Sequence, residues 1–140
     1  MNRWLLDTGP LVAYFNASDP LHERSRATLD SFRGELVTTS AVVVETMYFM
    51  MRFVDGPKRF LEFLEGTEVD ITEACQEEPM RLAVALMNKY ADIPMDFADA
   101  SLVVAAEKLR LHDICTTDRR GFTIFRTRSG KRFRLVLGET

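Results

Sequence analysis

Strand-like runs alternate with stretches of helical spacing along this chain. Residues 3–6, 35–39, 68–71 and 114–117 have the length and composition of short strands. Between and around these runs, apolar residues recur at helical spacing at 11–15, 22–32, 41–51, 58–65, 72–90 and 97–109. This order predicts an α/β fold in which a parallel β-sheet is flanked by helices on both faces.

Capping signals place the starts of two helices. Asp19-Pro20 predicts an N-cap followed by proline in the first turn of the helix that runs from His22. Ser40 precedes the apolar stretch 41–51 and is expected to cap that helix.

Length and composition indicate one domain. The chain has 140 residues, 46% of them hydrophobic, which suffices for one core and is too short for two ordinary domains. We therefore expect residues 1–140 to form a single domain.

No run approaches the roughly 18 consecutive apolar residues of a membrane span, and the N-terminus begins with Trp4-Leu5-Leu6 rather than a charged leader. These features predict a cytoplasmic protein without membrane contact.

The charge is unevenly distributed. Residues 119–140 contain seven Lys or Arg and one acid, whereas residues 1–118 contain eleven Lys or Arg and twenty acids. The basic segment is predicted to form a C-terminal hairpin, from Thr123 to Arg128 and from Lys131 to Leu137, with a turn at Ser129-Gly130. Its charge is typical of a polyanion contact, and a solvated basic hairpin accounts for it almost equally well.

Several acids occupy positions that capping alone does not explain. Asp7 and Asp118 each follow a strand-like run, where ligands gather in open α/β sheets. Glu45 lies within an apolar helix, and burying an unpaired carboxylate is costly. Asp96 and Asp99 open another apolar helix, where both can act as caps. Because parallel strands bring their carboxyl ends to one edge, Asp7 and Asp118 are expected to lie close together.

Such a cluster points to a divalent cation. Two unit charges about 4 Å apart repel by roughly 4 kcal/mol at an effective dielectric of 20, so clustered carboxylates are tenable mainly with cations between them. The histidines and cysteines are isolated in the sequence, which disfavours zinc and thiol chemistry. An all-oxygen ligand set selects Mg²⁺ or Mn²⁺, and either ion suits phosphodiester hydrolysis.

Four motifs in this chain resemble those of the PIN-domain ribonucleases, and within them the VapC-like toxins of toxin–antitoxin pairs. The motifs are Leu5-Leu6-Asp7-Thr8-Gly9-Pro10, Thr39-Ser40-Ala41 running to Glu45, Asp96-Phe97-Ala98-Asp99-Ala100-Ser101-Leu102 and Thr116-Thr117-Asp118-Arg119-Arg120-Gly121-Phe122. The resemblance implies a sheet of strand order 3-2-1-4-5 and endonucleolytic cleavage of structured RNA such as tRNA. It also implies a small antitoxin as partner and a homodimer.

The resemblance further implies particular residues. A Mg²⁺ site, with Mn²⁺ as a substitute, would be built from Asp7, Glu45, Asp99 and Asp118, with Asp96, Thr8 and Thr117 as accessory residues. Many relatives carry an acid immediately before the phenylalanine of the last motif, where this chain has Gly121. The number of metal ions therefore stays open.

The sequence predicts one surface that binds RNA and one that binds a protein. We expect RNA phosphates to contact basic residues of the C-terminal segment, namely Arg119, Arg120, Arg126, Arg128 and Arg132. An apolar stripe at the end of the Glu45 helix is expected to meet the antitoxin or the second subunit; it comprises Tyr48, Met50, Met51 and Phe53.

Two other functions compete with a metal-dependent endoribonuclease. A receiver-like phosphoacceptor domain shares the α/β architecture, but it needs an acidic pair after the first strand and a lysine after the fifth, and neither is found here. A degenerate PIN module would bind a protein or RNA without cleaving it, and the presence of all four acids counts against this.

Overall fold

The computed structural model describes residues 2–137, which contain a five-stranded parallel sheet of order β3-β2-β1-β4-β5. Its strands are β1 (Asn2–Leu6), β2 (Gly34–Thr39), β3 (Asp70–Thr72), β4 (Asp113–Cys115) and β5 (Arg134–Leu135). The chain enters the sheet at its central strand and then builds outward, first through β2 and β3 and later through β4 and β5. The α/β class and the strand order are thereby confirmed.

Seven helices connect or follow these strands within residues 2–137. They are α1 (Thr8–Phe15), α2 (His22–Ser31), α3 (Ser40–Met50), α4 (Gly56–Gly66), α5 (Glu77–Lys89), α6 (Phe97–Leu109) and α7 (Arg119–Ile124). The helix predicted at 72–90 is shorter because β3 takes its first residue and Pro79 occupies the first turn of α5, where its missing N–H removes no helical hydrogen bond.

The central strand is covered on both faces. Leu5 and Leu6 are both fully buried, and consecutive strand residues point to opposite faces of a sheet. Ile114 and Cys115 of β4 are buried in the same way. The carboxyl ends of β1 and β4 are therefore anchored in the core. Among the residues described, no helix has the length and apolar character needed to cross a membrane.

Both predicted capping residues have other roles. The cap of α2 is Leu21, which forms no side-chain cap bond, and the Asp19 carboxylate instead accepts a hydrogen bond from the Leu21 N–H at 2.8 Å. Thr39 caps α3 by accepting from the Val42 N–H at 3.2 Å. The Ser40 hydroxyl accepts from the Ala74 N–H at 2.8 Å and ties α3 to the segment after β3.

The predicted C-terminal hairpin is wrong. Residues 119–124 form a helix, and β5 pairs in parallel with β4 through Asp113↔Arg134 and Ile114↔Leu135. A turn does occur near Ser129, where the Thr127 N–H donates to the Lys131 carbonyl at 3.1 Å. No antiparallel ladder extends from this turn in the described chain. The second strand of the predicted hairpin contains β5, which pairs with the open edge of β4 instead.

Candidate active site

The carboxyl ends of β1 and β4 hold the first acid in place. Leu6 is in register with Cys115, and the Asp7 N–H donates to the Cys115 carbonyl at 3.0 Å. The Asp7 carboxylate accepts from the Thr8 N–H at 2.8 Å and from the Thr116 hydroxyl at 2.7 Å. Asp7 is only 6% exposed, so the sheet presents one buried and rigidly oriented carboxylate.

Two further acids lie at the N-terminus of α6, Asp96 as its N-cap and Asp99 in its first turn. Asp96 accepts from the Asp99 N–H at 2.8 Å, and Asp99 accepts in return from the Asp96 N–H at 3.2 Å. This is a complete capping box. The same two carboxylates also line the cleft beside Asp7, so capping and a place in the site are compatible for both residues.

Glu45 and Asp118 complete the acidic wall. Glu45 projects from α3 and is half-buried. Asp118 caps α7 by accepting from the Gly121 N–H at 2.9 Å, while its own N–H donates to the Thr116 hydroxyl at 2.9 Å. The Thr116 side chain therefore bonds to Asp7 and to the backbone of Asp118 at once. Glu45, Asp118 and Asp7 line one cleft of about 460 Å³, a typical volume for a ligand site.

The four predicted acids are thus brought to one cleft, with the accessory residues Asp96, Thr8 and Thr117 beside them. Asp19 also lines this cleft, although the sequence suggested only a capping role. The other lining residues are Gly9, Val12, Leu21 and Phe49. Sequence reasoning missed Thr116 as a supporting residue. The signal was available, because pairing Leu6 with Cys115 places Thr116 beside Asp7.

Ionising three of the acids in this cleft is costly in the absence of a cation, because their pKa values are raised. Burial raises the pKa of Asp7 to about 6, against the lowering effect of its bonds from Thr116 and Thr8. Burial, together with the charges of Asp7 and Asp96, raises the pKa of Asp99 to about 8. Burial also raises the pKa of Glu45, with a further contribution from the Asp96 charge. A bound cation would relieve the cost of ionising these groups.

The donor chemistry fits a hard divalent cation, although no three His, Cys, Asp or Glu side chains in residues 2–137 already form a compact ligand group. The donors are carboxylate oxygens, which Mg²⁺ and Mn²⁺ prefer. The buried Thr8 hydroxyl makes no hydrogen bond of normal geometry within the described chain, yet it lies close enough to favour the ionised form of Glu45 and so lower its pKa. Beside the Glu45 carboxylate, this hydroxyl keeps hydrogen-bonding capacity for a water or ion.

Two glycines let backbone pack closely against this cleft. A Cβ at Gly9 would collide with the Thr117 hydroxyl, and a Cβ at Gly121 would collide with the Asp118 carboxylate and the Phe125 ring. Any side chain at position 121, an acid included, would therefore displace the Asp118 carboxylate or the Phe125 ring.

The predicted RNA-binding arginines occupy different surroundings. Arg119, Arg120 and Arg132 are exposed. Arg126 donates through Nη1 to the carbonyl oxygens of residues 123, 124 and 125 at 3.0, 2.7 and 3.1 Å, and so caps the end of α7. Arg128 lines a separate cavity of about 710 Å³ between α5 and α6, which contains no residue of the acid cleft.

Comparison with known proteins identifies the family. A family model described as "PIN domain" matches residues 4–126. The chain therefore belongs to the PIN-domain family, as its motifs indicated. The receiver-like alternative is wrong, and the strand order agrees, since receiver domains have the order 2-1-3-4-5.

Within that family the chain is a VapC-like ribonuclease. It is 33% identical over 134 residues to Ribonuclease VapC26 from Mycobacterium tuberculosis (strain ATCC 25618 / H37Rv), covering 94% of this chain and 98% of that protein. The crystal structure of Mycobacterium tuberculosis VapC20, a toxin that cleaves the sarcin–ricin loop, superposes with a TM-score of 0.72 at 17% identity, covering 81% of this chain and 87% of that one. This second likeness shows the fold. Ribonucleases of this family are typically metal-dependent.

Proposed function

We propose that the acid cleft binds Mg²⁺, or Mn²⁺ in its place, and cleaves RNA phosphodiester bonds endonucleolytically. The observation that carries the proposal is the convergence of carboxylates from distant parts of the chain on one cleft, where burial and mutual repulsion raise the pKa values of Asp7, Glu45 and Asp99. When bound, the ion would lower the pKa of a water and stabilise charge on the scissile phosphate.

The residues of the chain have distinct roles in this proposal. Asp7, Glu45, Asp99 and Asp118 hold the ion, while Asp96, Thr8 and Thr117 are accessory. Thr116 orients Asp7, and the capping box orients Asp99, so both carboxylates are positioned before any ligand arrives. Burial and the neighbouring charges of Asp7 and Asp96 raise the pKa of Asp99, so a bound cation would favour its ionised form.

Metal-dependent cleavage tests this function directly. Purified protein is incubated with total cellular RNA and with short synthetic RNAs in Mg²⁺, Mn²⁺ or EDTA. We expect cleavage with either metal and none in EDTA, together with a rise in thermal stability on adding Mn²⁺. Asp99→Asn should abolish both effects, while the control Asp70→Asn, at an exposed residue of β3, should keep them. Retention of both by Asp99→Asn would exclude this cleft.

The RNA target is expected to be structured RNA with an accessible loop. The similar fold of a toxin that cleaves the sarcin–ricin loop supports ribosomal RNA loops alongside tRNA as candidates. The proposal assigns contacts with flanking phosphates to the exposed residues Arg119, Arg120 and Arg132. It leaves out Arg126, which bonds to carbonyl oxygens at the end of α7, and Arg128, which lines another cavity.

A protein partner completes the proposal. Four apolar side chains from the middle of α3 to the segment just beyond it are between 66% and 88% exposed: Val44, Tyr48, Met51 and Val54. The stripe expected from the sequence differs, because Met50 is fully buried and Phe53 is half-buried against the core. We assign this exposed surface to a small antitoxin, and we expect the toxin itself to be a homodimer.

Light scattering and partner binding test these assemblies. A dimeric mass at tens of micromolar protein supports the homodimer, and a monomeric mass contradicts it. Met51→Lys should weaken capture of the protein encoded by the neighbouring short reading frame, while its exposure means that folding should survive. Unchanged capture would place the antitoxin elsewhere.

A further inference from the structure

Phe49 stands out among the residues of the acid cleft because it brings an aromatic ring to a wall of carboxylates. It lies on α3 four residues after Glu45, so the two side chains share one face of the helix. Their separation along the axis is slightly more than one helical turn, roughly 6 Å for four residues. The ring is partly exposed, and it lines the cleft together with apolar Val12 and Leu21.

A cation accompanies this ring. The guanidinium carbon of Arg52 lies 5.2 Å from the centroid of the Phe49 ring, within range of a cation–π contact, and Arg52 is exposed. The cleft itself is acidic, and two of the arginines predicted to attract RNA lie at the α7 terminus and at another cavity. Arg52 therefore supplies positive charge beside Phe49 from the turn just after α3, a segment that the sequence analysis had not connected with RNA.

Aromatic rings beside a phosphate-binding site are suited to unpaired nucleotides. Bases in a duplex are already stacked on both faces, whereas the bases of loops and single strands can be splayed out onto aromatic side chains. Such stacking tolerates any base because every base has a π-face. Phe49 lies about one helical turn from Glu45, which the proposal makes a metal ligand. At that separation, the ring can meet the base of a nucleotide whose phosphate lies at the metal.

We infer that Phe49 stacks against the base of an unpaired nucleotide next to the scissile phosphate, and that Arg52 contacts the phosphate of the same strand. This inference rests on the proposed RNA cleavage at the acid cleft and adds to it the two side chains that would hold the nucleotide next to the cut. It also assigns a role to the apolar part of the cleft, which metal binding by the acids does not use.

The test separates stacking from packing. On a cleavage-defective Asp7→Asn background in Mg²⁺, binding is measured for an eight-nucleotide oligoadenylate and for an abasic ribose-phosphate oligomer of the same length. The variants are Phe49→Leu, which keeps apolar volume without the ring, and Phe49→Trp, which keeps an aromatic face. The matched control is Phe32→Leu, because Phe32 is also half-buried but stacks on Trp4, outside the cleft.

Phe49→Leu should weaken binding of the oligoadenylate roughly tenfold, the scale of losing one base–aromatic stack. Phe49→Trp and Phe32→Leu should bind as the background does. On the abasic oligomer, Phe49→Leu should have no effect. An equal loss on both oligomers, or no loss on either, overturns the inference.

The outcome is distinguishable from failure of the proposed function. If the wild-type protein cleaves RNA and Phe49→Leu binds both oligomers unchanged, the stacking role is wrong and the nuclease assignment stands. If the wild-type protein cleaves no RNA with either metal, both are overturned.

Discussion

The acid cleft and the basic C-terminal segment differ in how the fold uses their charges. In the cleft, acids that are far apart in sequence converge because strand ends and helix starts place them there. In the segment after Asp118, arginines that are close in sequence diverge. Arg126 caps α7, Arg128 lines another cavity, and Arg134 forms a bidentate pair with Asp113 at 2.9 Å for both bonds.

The difference follows from backbone constraint. Parallel strands fix where their carboxyl ends lie, so a residue directly after a strand has a predictable neighbour on the adjacent strand. Long basic side chains on a short helix and a loop have many reachable partners, and local carbonyl groups compete with distant ligands for them. Sequence proximity in a loop is therefore a poor guide to a shared surface.

The largest expected effect is loss of activity in the cleft. Asp7→Asn should lower RNA turnover roughly 100-fold or more, the scale of removing one group that stabilises a transition state. The fold should persist because removing a buried charge relieves repulsion. Turnover at saturating RNA and metal-free urea unfolding measure the two effects. Turnover at the wild-type rate in Asp7→Asn would show that the cleft is not the catalytic site.

A smaller loss is expected from the residue that orients Asp7. Thr116→Val keeps the side-chain volume but removes a hydroxyl that donates to Asp7 at 2.7 Å and accepts from the Asp118 N–H at 2.9 Å. Apparent Mn²⁺ affinity and turnover should fall about 10- to 100-fold. Thr116→Ser, which restores the hydroxyl, should recover most of the loss. Equal defects in the Val and Ser variants would mean that packing, rather than this bond, is responsible.

A pH series sharpens the electrostatic account of the cleft. The pKa values of Asp7 and Asp99 are raised to about 6 and about 8 in the folded protein, so the folded state binds more protons than the unfolded state. The resulting stabilisation is fully present below about pH 4 and is lost as pH rises through 6 and then 8. In EDTA, the free energy of unfolding contributed by these groups should therefore fall between pH 4 and 8.

Asp99→Asn identifies the source of the upper part of that change. Urea unfolding of the variant in EDTA should show a shallower decline than the wild type between pH 6 and 8. Saturating Mn²⁺ should flatten the wild-type curve as well, because a bound cation favours the ionised carboxylates. Identical slopes in wild type and variant would indicate that Asp99 ionises freely.

The sequence predicted the central architecture and the acid cluster, because both follow from strand positions. Asp7 and Asp118 were found as acids directly after strands, and Glu45 as a carboxylate in an apolar helix. The strand order required the family resemblance, since periodicity does not encode it. The extension of one domain over residues 1–140 remains a prediction.

The failures concern local competition. The hairpin was predicted from a Ser129-Gly130 turn signal that is present, but the open edge of β4 takes up β5 in parallel. The apolar stripe predicted to bind a partner did not distinguish the side of α3 that faces the core. Fully buried Met50 was therefore grouped with exposed Met51. Asp19 has a capping signature, yet its carboxylate turns to the Leu21 N–H and the residue lines the cleft.

The smallest expected effects compare two arginines of the basic segment. Arg132→Ala removes an exposed cation and should reduce the slope of log affinity against log salt by ~0.7, the value of one single-strand phosphate contact. Arg126→Ala should leave that slope unchanged and lower the free energy of unfolding by about 1 kcal/mol, because the guanidinium already bonds to three carbonyl oxygens at the end of α7. RNA binding across a salt series and urea unfolding measure both. A slope that falls in Arg126→Ala but not in Arg132→Ala would show that the α7 end faces the RNA.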